Sequence, residues 1–183
     1  MSIILQFILG FFYSHVLEWL LHKHILHNHK RKKYFRSHFG DHHKTSRKLW
    51  MIDMKYHQKL SFQGDPEIKG LIFLGILHLP IAVWYPWAYA ALLISAVEYW
   101  WVHRRAHLDV FWARKNLSWH YDHHMGPDQH ANWGVRSPIV DIVLGTRKPY
   151  KGEKKEIITY AVMKARFLEG AKNKNDRSYR NSC

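Results

Sequence analysis

Histidine is the residue type in this chain whose number and spacing could support chemistry. Ten of the sixteen histidines fall into four short clusters. The clusters are His22 and His27; His38, His42 and His43; His103 and His107; and His120, His123 and His124. One structural zinc takes four ligands and a mononuclear catalytic site takes fewer, so this number of imidazoles suits two metal ions with about five ligands each. The clusters therefore predict a two-metal centre that keeps coordination positions for a small molecule.

The third and fourth clusters have the spacing of an α-helical face. Residues three and four apart lie on the same side of an α-helix. His103 and His107 are four apart, and they are predicted to share a face. His120, His123 and His124 follow the same rule, which predicts three imidazoles on one stripe of a helix.

The first and second clusters are less regular when they are placed on an α-helix. His38 and His42 are four apart and are predicted to share a face, with His43 rotated away toward a neighbouring metal. His22 and His27 are five apart, about 140° round the helix at 100° per residue. We expect that pair to straddle a helix end or to bind different partners.

A metal-bound imidazole usually donates its other ring N–H to a carboxylate or a carbonyl. The chain has only 14 acidic residues, so those near the clusters stand out. The candidates to support the ligands are Glu18, Asp41, Asp122, Asp141 and His130. Each acid could instead be a helix cap or a surface charge. The single cysteine, Cys183, excludes both a disulfide within the chain and a cysteine zinc site.

Two apolar segments must position these clusters. Residues 2–21 are long enough to span a bilayer once. They lack the basic start and the small-residue cleavage site of a signal peptide. Residues 71–101 are almost wholly apolar, but Pro80 and Pro86 interrupt them, and proline breaks or kinks a helix. We therefore expect a helical hairpin with arms at 69–79 and 87–102, as two full spans or as a re-entrant hairpin.

The net charge of +14 is concentrated after the apolar segments. Under the positive-inside rule the basic loops are cytoplasmic, so the N-terminus is outside or lumenal. All four histidine clusters and the C-terminus then lie on the cytoplasmic side. A soluble protein with a buried apolar hairpin is the alternative. The charge alone could also indicate nucleic-acid binding, but no recognition motif accompanies it, so we expect no nucleic-acid partner.

These features predict an all-α integral membrane protein. One N-terminal span and a helical hairpin carry a helical, histidine-rich cytoplasmic cap within residues 1–150. Residues 151–170 contain a basic amphipathic helix, which either lies on the anionic membrane surface or packs on the domain. Residues 171–183 are polar and charged and are predicted to be a disordered basic tail.

The order of the clusters resembles that of the fatty acid hydroxylase/sterol desaturase superfamily of integral-membrane, histidine-box di-iron enzymes. That pattern is HxxxxH, HxxHH, HxxxH and HxxHH, each beside transmembrane helices. The segment NWGVRSPIVDIVLGT at 132–146 is similar to a family segment that follows the last box. Two features depart from the pattern. The second cluster is HxxxHH, one residue longer than the commonest hydroxylase form, and the chain is short for a lipid hydroxylase. Its length is closer to that of the carotenoid hydroxylases, which lack the 132–146 type of segment.

The resemblance implies a membrane non-haem di-iron monooxygenase that hydroxylates a C–H bond of a lipid. The lipid could be a fatty acyl chain, a sphingoid base, a sterol or a carotenoid. The cofactors would be two Fe ions, with Zn as a substitute in purified protein, and no catalytic residue is expected beyond the metal site. The partners would be O₂, the membrane and an electron donor such as cytochrome b5, or ferredoxin with its reductase. Alternatives are a lipid desaturase of the same chemistry and a non-catalytic metal-binding membrane protein.

Overall fold

The fold is helical throughout the part of the chain that the computed structural model describes. That part comprises residues 1–57 and 65–180, with side chains described to residue 169. No strand occurs within it, so the all-α prediction is confirmed. The chain divides into two compact units, Met1–Pro149 and Tyr150–Cys183.

The first unit begins with the apolar helix α1, Ile3–Leu21. Ser2 caps it, because its hydroxyl accepts a hydrogen bond from the backbone N–H of Leu5 at 3.3 Å. The helix continues without a break into a π-helix, π1, His22–Leu26. The combined stretch Ile3–Leu26 is the one place in the described residues where a helix is long and apolar enough to cross a membrane.

A basic, helical segment follows π1 and carries the second histidine cluster. It consists of a 3₁₀ turn (His29–Arg31), α2 (Lys32–Phe35), the π-helix π2 (Arg36–His43) and α3 (Lys44–Lys48). A further 3₁₀ turn, Met54–His57, precedes the residues outside the described range. The second cluster therefore lies on π2 itself.

The second apolar segment forms three helices. They are α4 (Pro66–Leu77), α5 (Leu79–Trp84) and α6 (Pro86–Leu108). Pro80 and Pro86 both stand in the first turn of a helix, where the missing N–H costs nothing, so the chain breaks where the prolines predict. α4 and α6 contact each other, and the Tyr89 hydroxyl donates to the carbonyl of Gly75 at 3.1 Å.

α1 and α6 pack closely and together bring two histidine clusters to one end. A Cβ at Gly10 would lie 2.6 Å from the carbonyl oxygen of Ala88 and 2.9 Å from the Cβ of Ala91, so only glycine permits this approach. Further along, the Ser14 hydroxyl donates to Ser95 Oγ at 3.0 Å. Gly10 contacts Ala88 and Ser14 contacts Ser95, so the two helices run parallel. π1 and the C-terminal end of α6 therefore lie beside each other.

The rest of the first unit closes over that end. It contains α7 (Val110–Asn116), α8 (Ser118–Met125) and the short α9 (Ile139–Val143), with an irregular segment between α8 and α9. Trp19, Trp133 and Val140 form a buried apolar cluster there, with Val16 packed against it. This cluster joins the end of α1 to the irregular segment and to α9.

The second unit consists mainly of α10, Lys154–Arg180. The predicted amphipathic helix is its first part. Near its start the Glu156 carboxylate accepts from the backbone N–H of Gly152 at 3.1 Å. The helix also runs through residues 171–180, for which the sequence predicts disorder. No proline follows Pro149, so no residue of the type that blocks a helix interrupts this stretch.

Candidate metal centre

Nine of the ten clustered histidines converge into two groups that could each hold a metal ion. Within each group the candidate ligand nitrogens lie within 4.8 Å of one another. The first histidine group is His22, His27, His38, His43 and His123. The second histidine group is His42, His103, His107 and His124. All four sequence clusters therefore meet in one place, as a shared site requires.

The two groups are neighbours, and the tenth histidine lies beside the second. The rings of His43 and His124, one from each group, stack with their centroids 4.2 Å apart. His120 Nε2 is 3.2 Å from His107 Nε2, and its ring centroid is 4.6 Å from that of His124. His120 thus stands next to the second group without belonging to its four converging nitrogens.

Ring nitrogens in the first group are spaced as ligands of one ion would be. The Nε2 atoms of His22 and His38 are 2.9 Å apart. His43 Nε2 lies 3.1 Å from that of His123 and 3.2 Å from that of His27. Two nitrogens bound at about 2.1 Å and at right angles on one metal would be about 3 Å apart. The first group therefore fits a metal ion by its distances.

The second group fits a metal ion because three of its four histidines have an Nε2 atom without another partner. The Nε2 atoms of His42, His103 and His124 are buried and have no hydrogen-bond partner in the described part of the chain. A buried polar atom without a partner costs roughly 1–3 kcal/mol. Three such atoms in one group are explained if they coordinate a metal ion.

The π-helix π1 accounts for the first cluster. The backbone N–H of His27 bonds to the carbonyl of His22 at 3.1 Å, a five-residue step. Such i to i+5 bonding is the definition of a π-helix, and it brings residues five apart to one face. The pair straddles a helix end, as one predicted alternative had it, because π1 ends at Leu26 and His27 follows as its cap. The other alternative, that the two bind different partners, was wrong, since both rings belong to the first group.

The π-helix π2 reverses the assignment predicted for the second cluster. His38 and His43, five residues apart, converge in the first group, while His42 belongs to the second. The sequence prediction had paired His38 with His42 because it assumed α-helical spacing. The wider turn of π2 turns His43 back toward His38 and points His42 to the second group.

α6 and α8 present the third and fourth clusters. His103 and His107 share a face of α6 and both belong to the second group, which confirms that prediction. On α8 the predicted single stripe is divided. His123 enters the first group, and His124, the next residue along the helix, enters the second. α8 therefore lies between the two groups and contributes to each.

Carboxylates orient two imidazoles of the second group. His42 Nδ1 lies 2.9 Å from Asp53 Oδ2, and His103 Nδ1 lies 2.8 Å from Glu67 Oε1. Tyr56 donates its hydroxyl to Glu67 Oε2 at 2.8 Å. Burial raises the pKa of Tyr56 well above its usual value, so this hydroxyl stays protonated. With Nδ1 directed to an acid, each ring turns its Nε2 toward the group.

Neutral oxygens orient four further imidazoles. Three backbone carbonyls and one side-chain amide receive an Nδ1–H, and three of these four acceptors come from the segment between α8 and α9. The pairs are His107 with Met51 O at 2.7 Å, His22 with Trp133 O at 2.6 Å, His123 with Ala131 O at 2.7 Å, and His43 with Gln129 Oε1 at 3.1 Å. The two groups thus differ, because only the second has carboxylates behind its ligands.

Sequence reasoning did not find Asp53, Glu67, Tyr56 or Gln129. None of them belongs to a histidine cluster, and tertiary packing alone brings them to the rings. One signal was present, since acids are scarce and Asp53 and Glu67 are two of only fourteen.

The proposed supporting residue Asp141 acts one step behind the ligands. Its carboxylate accepts from Trp19 Nε1 at 3.1 Å and from the backbone N–H groups of Trp133 and Gly134 at 2.9 and 2.7 Å. These bonds fix the segment whose Trp133 carbonyl receives the N–H of His22. Asp141 is therefore a positioning residue for that segment.

Glu18 has a similar role on the opposite side of this segment. It accepts from the backbone N–H of Val135 and from Arg136 Nε, the latter at 2.7 Å. Arg136 is buried and also bonds Glu98 at 3.2 Å and Ser14 Oγ at 2.9 Å. The guanidinium thus ties α1, α6 and the irregular segment together.

The other three supporting candidates have different surroundings. Asp122 is buried and pairs with Arg147 at 2.6 Å. Asp41 is exposed on π2. His130 is exposed, and its ring stacks on Phe39 at a centroid distance of 5.4 Å, outside both groups.

Burial keeps the imidazoles of His43 and His124 neutral. It lowers the pKa of His43 to about 3 and holds the pKa of His124 well below its usual value. Neighbouring histidines lower both further. Neutral imidazole is the form that binds metals, and it suits zinc, copper, iron and nickel.

No protein-family model, curated protein or solved structure matches the chain. Two buried, all-imidazole groups side by side remain the defining feature. They could hold metal ions in a site without a carboxylate ligand, which differs from the carboxylate-rich centre of soluble di-iron bundles.

Proposed function

We propose that the chain is a membrane non-haem di-iron monooxygenase that hydroxylates a C–H bond of a lipid. The adjacent pair of buried histidine groups carries the proposal. The motif order and the 132–146 segment favour the fatty acid hydroxylase/sterol desaturase superfamily. Two irons, one in each group, would supply activation of O₂, with electrons from cytochrome b5 or from ferredoxin and its reductase.

The protein's own residues hold and orient these ions. Five imidazoles serve the first site and four serve the second, and His120 stands beside the second as a possible fifth donor. With six-coordinate iron, both sites keep positions for a small molecule. Outward Nδ1 bonds fix six of the nine grouped rings before a metal binds, which lowers the ordering cost of binding.

Exposed apolar side chains support insertion in a membrane. α1, α4, α5 and α6 all carry large apolar residues that face outward. They include Ile4, Ile8, Phe12, Phe73, Ile76, Val83, Trp84 and Val97. Soluble monomers rarely expose contiguous apolar surface on this scale. We propose that α1 spans the bilayer and that α4–α6 enter it as a hairpin, with the lipid substrate arriving through the same bilayer.

The positive charge supports one orientation. Basic residues follow α1 and the end of α6, where the histidine clusters begin. Under the positive-inside rule the N-terminus is outside or lumenal, and the clusters and C-terminus are cytoplasmic. A cytoplasmic reductant then reaches the metal centre without crossing the membrane.

The proposal is tested first by metal content. Detergent-purified protein should contain about two irons per chain, or two zincs after overexpression, because there are two ligand groups. Elemental analysis that finds one metal or none would contradict the di-iron assignment.

Activity is tested by lipid profiling of cells with and without the gene. Hydroxylation adds one oxygen to a defined lipid class, whereas a desaturase would remove two hydrogens. His123→Ala or His120→Ala should abolish the product without changing membrane insertion, and the exposed Lys32→Ala should do little. Two bound metals with no change in any lipid would favour a non-catalytic metal-binding protein.

A further inference from the structure

The short helix α9 exposes an apolar surface that the metal centre does not use. Ile139, Ile142, Val143 and Leu144 are 55%, 62%, 76% and 53% exposed. Four large aliphatic residues within a six-residue stretch form one patch. In water such a patch is unfavourable by about 25 cal/mol for each Å² exposed, which indicates that something apolar covers it.

α9 is fixed against the last turn of α1. Val140, on the inner side of α9, packs with Trp19 and Trp133. The Trp19 indole N–H donates to Asp141, the next residue of α9, at 3.1 Å. The exposed patch therefore sits where α1 ends, at the level of π1.

The end of α1 beside this patch carries a residue expected at a membrane surface. Lys23 Nζ lies 4.4 Å from the centre of the Trp19 ring, and Trp19 itself is buried with Trp133 and Val140. A lysine at the end of an apolar helix is typical of the headgroup level, where its ammonium reaches water. A second copy of this chain is a poor occupant, because each copy carries a net charge of +14.

We propose that α9 and Leu144 form an interfacial anchor that inserts its apolar side chains into the leaflet beside the metal centre. This inference rests on the proposed insertion of α1 in the bilayer. The occupant of the patch is the lipid leaflet itself. Short amphipathic elements of this kind enter the headgroup and acyl boundary by about 5–10 Å.

The anchor is connected to the first histidine group by hydrogen bonds. Asp141 in α9 accepts from the backbone N–H groups of Trp133 and Gly134. The carbonyl of Trp133 in turn receives the N–H of His22 at 2.6 Å. Because each link is short and buried, α9 sets the height of the metal centre above the leaflet.

The proposal is tested with an environment-sensitive fluorophore on a single cysteine. In a Cys183→Ser background, Val143→Cys is labelled with a nitrobenzoxadiazole group and reconstituted in phosphatidylcholine/phosphatidylglycerol vesicles. Ile8→Cys on α1 serves as the bilayer control and Lys33→Cys, exposed on α2, as the water control. Vesicles with a nitroxide near the headgroups should reduce emission from position 143 at least about twofold, as expected for that depth. They should leave position 33 unchanged.

Each outcome has a defined meaning. If position 143 responds like position 33 while position 8 is quenched by nitroxide-labelled lipid, the anchor is refuted and the spanning of α1 stands. If position 8 is not quenched, membrane insertion fails and the anchor fails with it. Cross-linking between copies at position 143, without lipid quenching, would assign the patch to self-association and also overturn the anchor. Metal content measured on the same samples reports separately on the proposed function.

Discussion

Glu67→Gln should weaken metal binding at the second histidine group and leave the first group unchanged. The substitution removes one negative charge and keeps the shape of the side chain. Glu67 Oε1 lies 2.8 Å from His103 Nδ1, and both side chains are largely buried. The amide oxygen of glutamine can still accept that N–H, so the change tests the charge behind the ligand.

The expected loss is tenfold to a hundredfold in affinity. Removal of a partner behind a metal-bound histidine usually has an effect of about that size. The range corresponds to roughly 1.4–2.7 kcal/mol. The carboxylate makes the imidazole a stronger donor and offsets part of the positive charge of the ion, and glutamine does neither. Asp53→Asn, behind His42 at 2.9 Å, should have an effect of the same order.

The assay is an equilibrium titration of metal-stripped protein with Co²⁺, followed by its visible absorption. Two binding steps are expected in the wild-type protein, and Glu67→Gln should shift one of them. Gln129→Leu is the matched control. It removes the acceptor of His43, a first-group ligand, and should shift the other step.

Equal weakening of both steps by Glu67→Gln, with helix content unchanged by circular dichroism, would refute this reasoning. So would a variant with both steps unchanged. Equal weakening would mean that the Glu67 charge acts on both groups. Two unchanged steps would mean that the Glu67–His103 hydrogen bond does not affect metal binding.

Three further predictions concern stability, each measured by thermal unfolding in detergent. Gly10→Ala should destabilise the protein by about 1–3 kcal/mol, since its Cβ would meet the carbonyl of Ala88. The control Gly70→Ala has open space around it and should be neutral or stabilising by up to ~1 kcal/mol. Equal effects of the two substitutions on stability would contradict the close packing of α1 on α6. Arg136→Met should cost roughly 3–5 kcal/mol because it leaves the Glu18 carboxylate buried without its cation; a change under about 1 kcal/mol would show that the ion pair is not needed. Metal at a thousand times its dissociation constant should stabilise the folded protein by about 4 kcal/mol. A thermal unfolding midpoint that does not change when a chelator is added would argue against metal binding in the folded state.

Much of the helical arrangement is predictable from the sequence. Apolar runs give the helices, and Pro80 and Pro86 give the breaks. The four-residue spacing of His103 and His107 gives their common face. These predictions succeed because each depends on local pattern and on ordinary α-helical geometry. The convergence of all four clusters was also predictable, since the first and third lie at the ends of the apolar helices α1 and α6 and the other two follow them in sequence.

The division of the histidines between the two groups was not predictable in this way. It depends on the π-helical turns at His22–His27 and His38–His43, and no local residue pattern predicts those turns. The supporting acids are a second failure. Asp41 is next to a ligand in sequence, but π2 turns it to solvent. Asp53 is 11 residues from His42 along the chain, and the turn of the chain after α3 brings it to that ring.

The π-helical turns also make the length of a histidine box adjustable. A π turn contains about one residue more than an α turn. One wider turn can therefore accommodate an inserted residue while the flanking helices stay in place. In π2 the longer HxxxHH box still places His38 and His43 in the first group and His42 in the second. Boxes of different length can therefore be equivalent in three dimensions. Deletion of Gly40, whose surroundings are open apart from Arg36, should convert this turn to an α-helix and leave the three histidines in the same two groups.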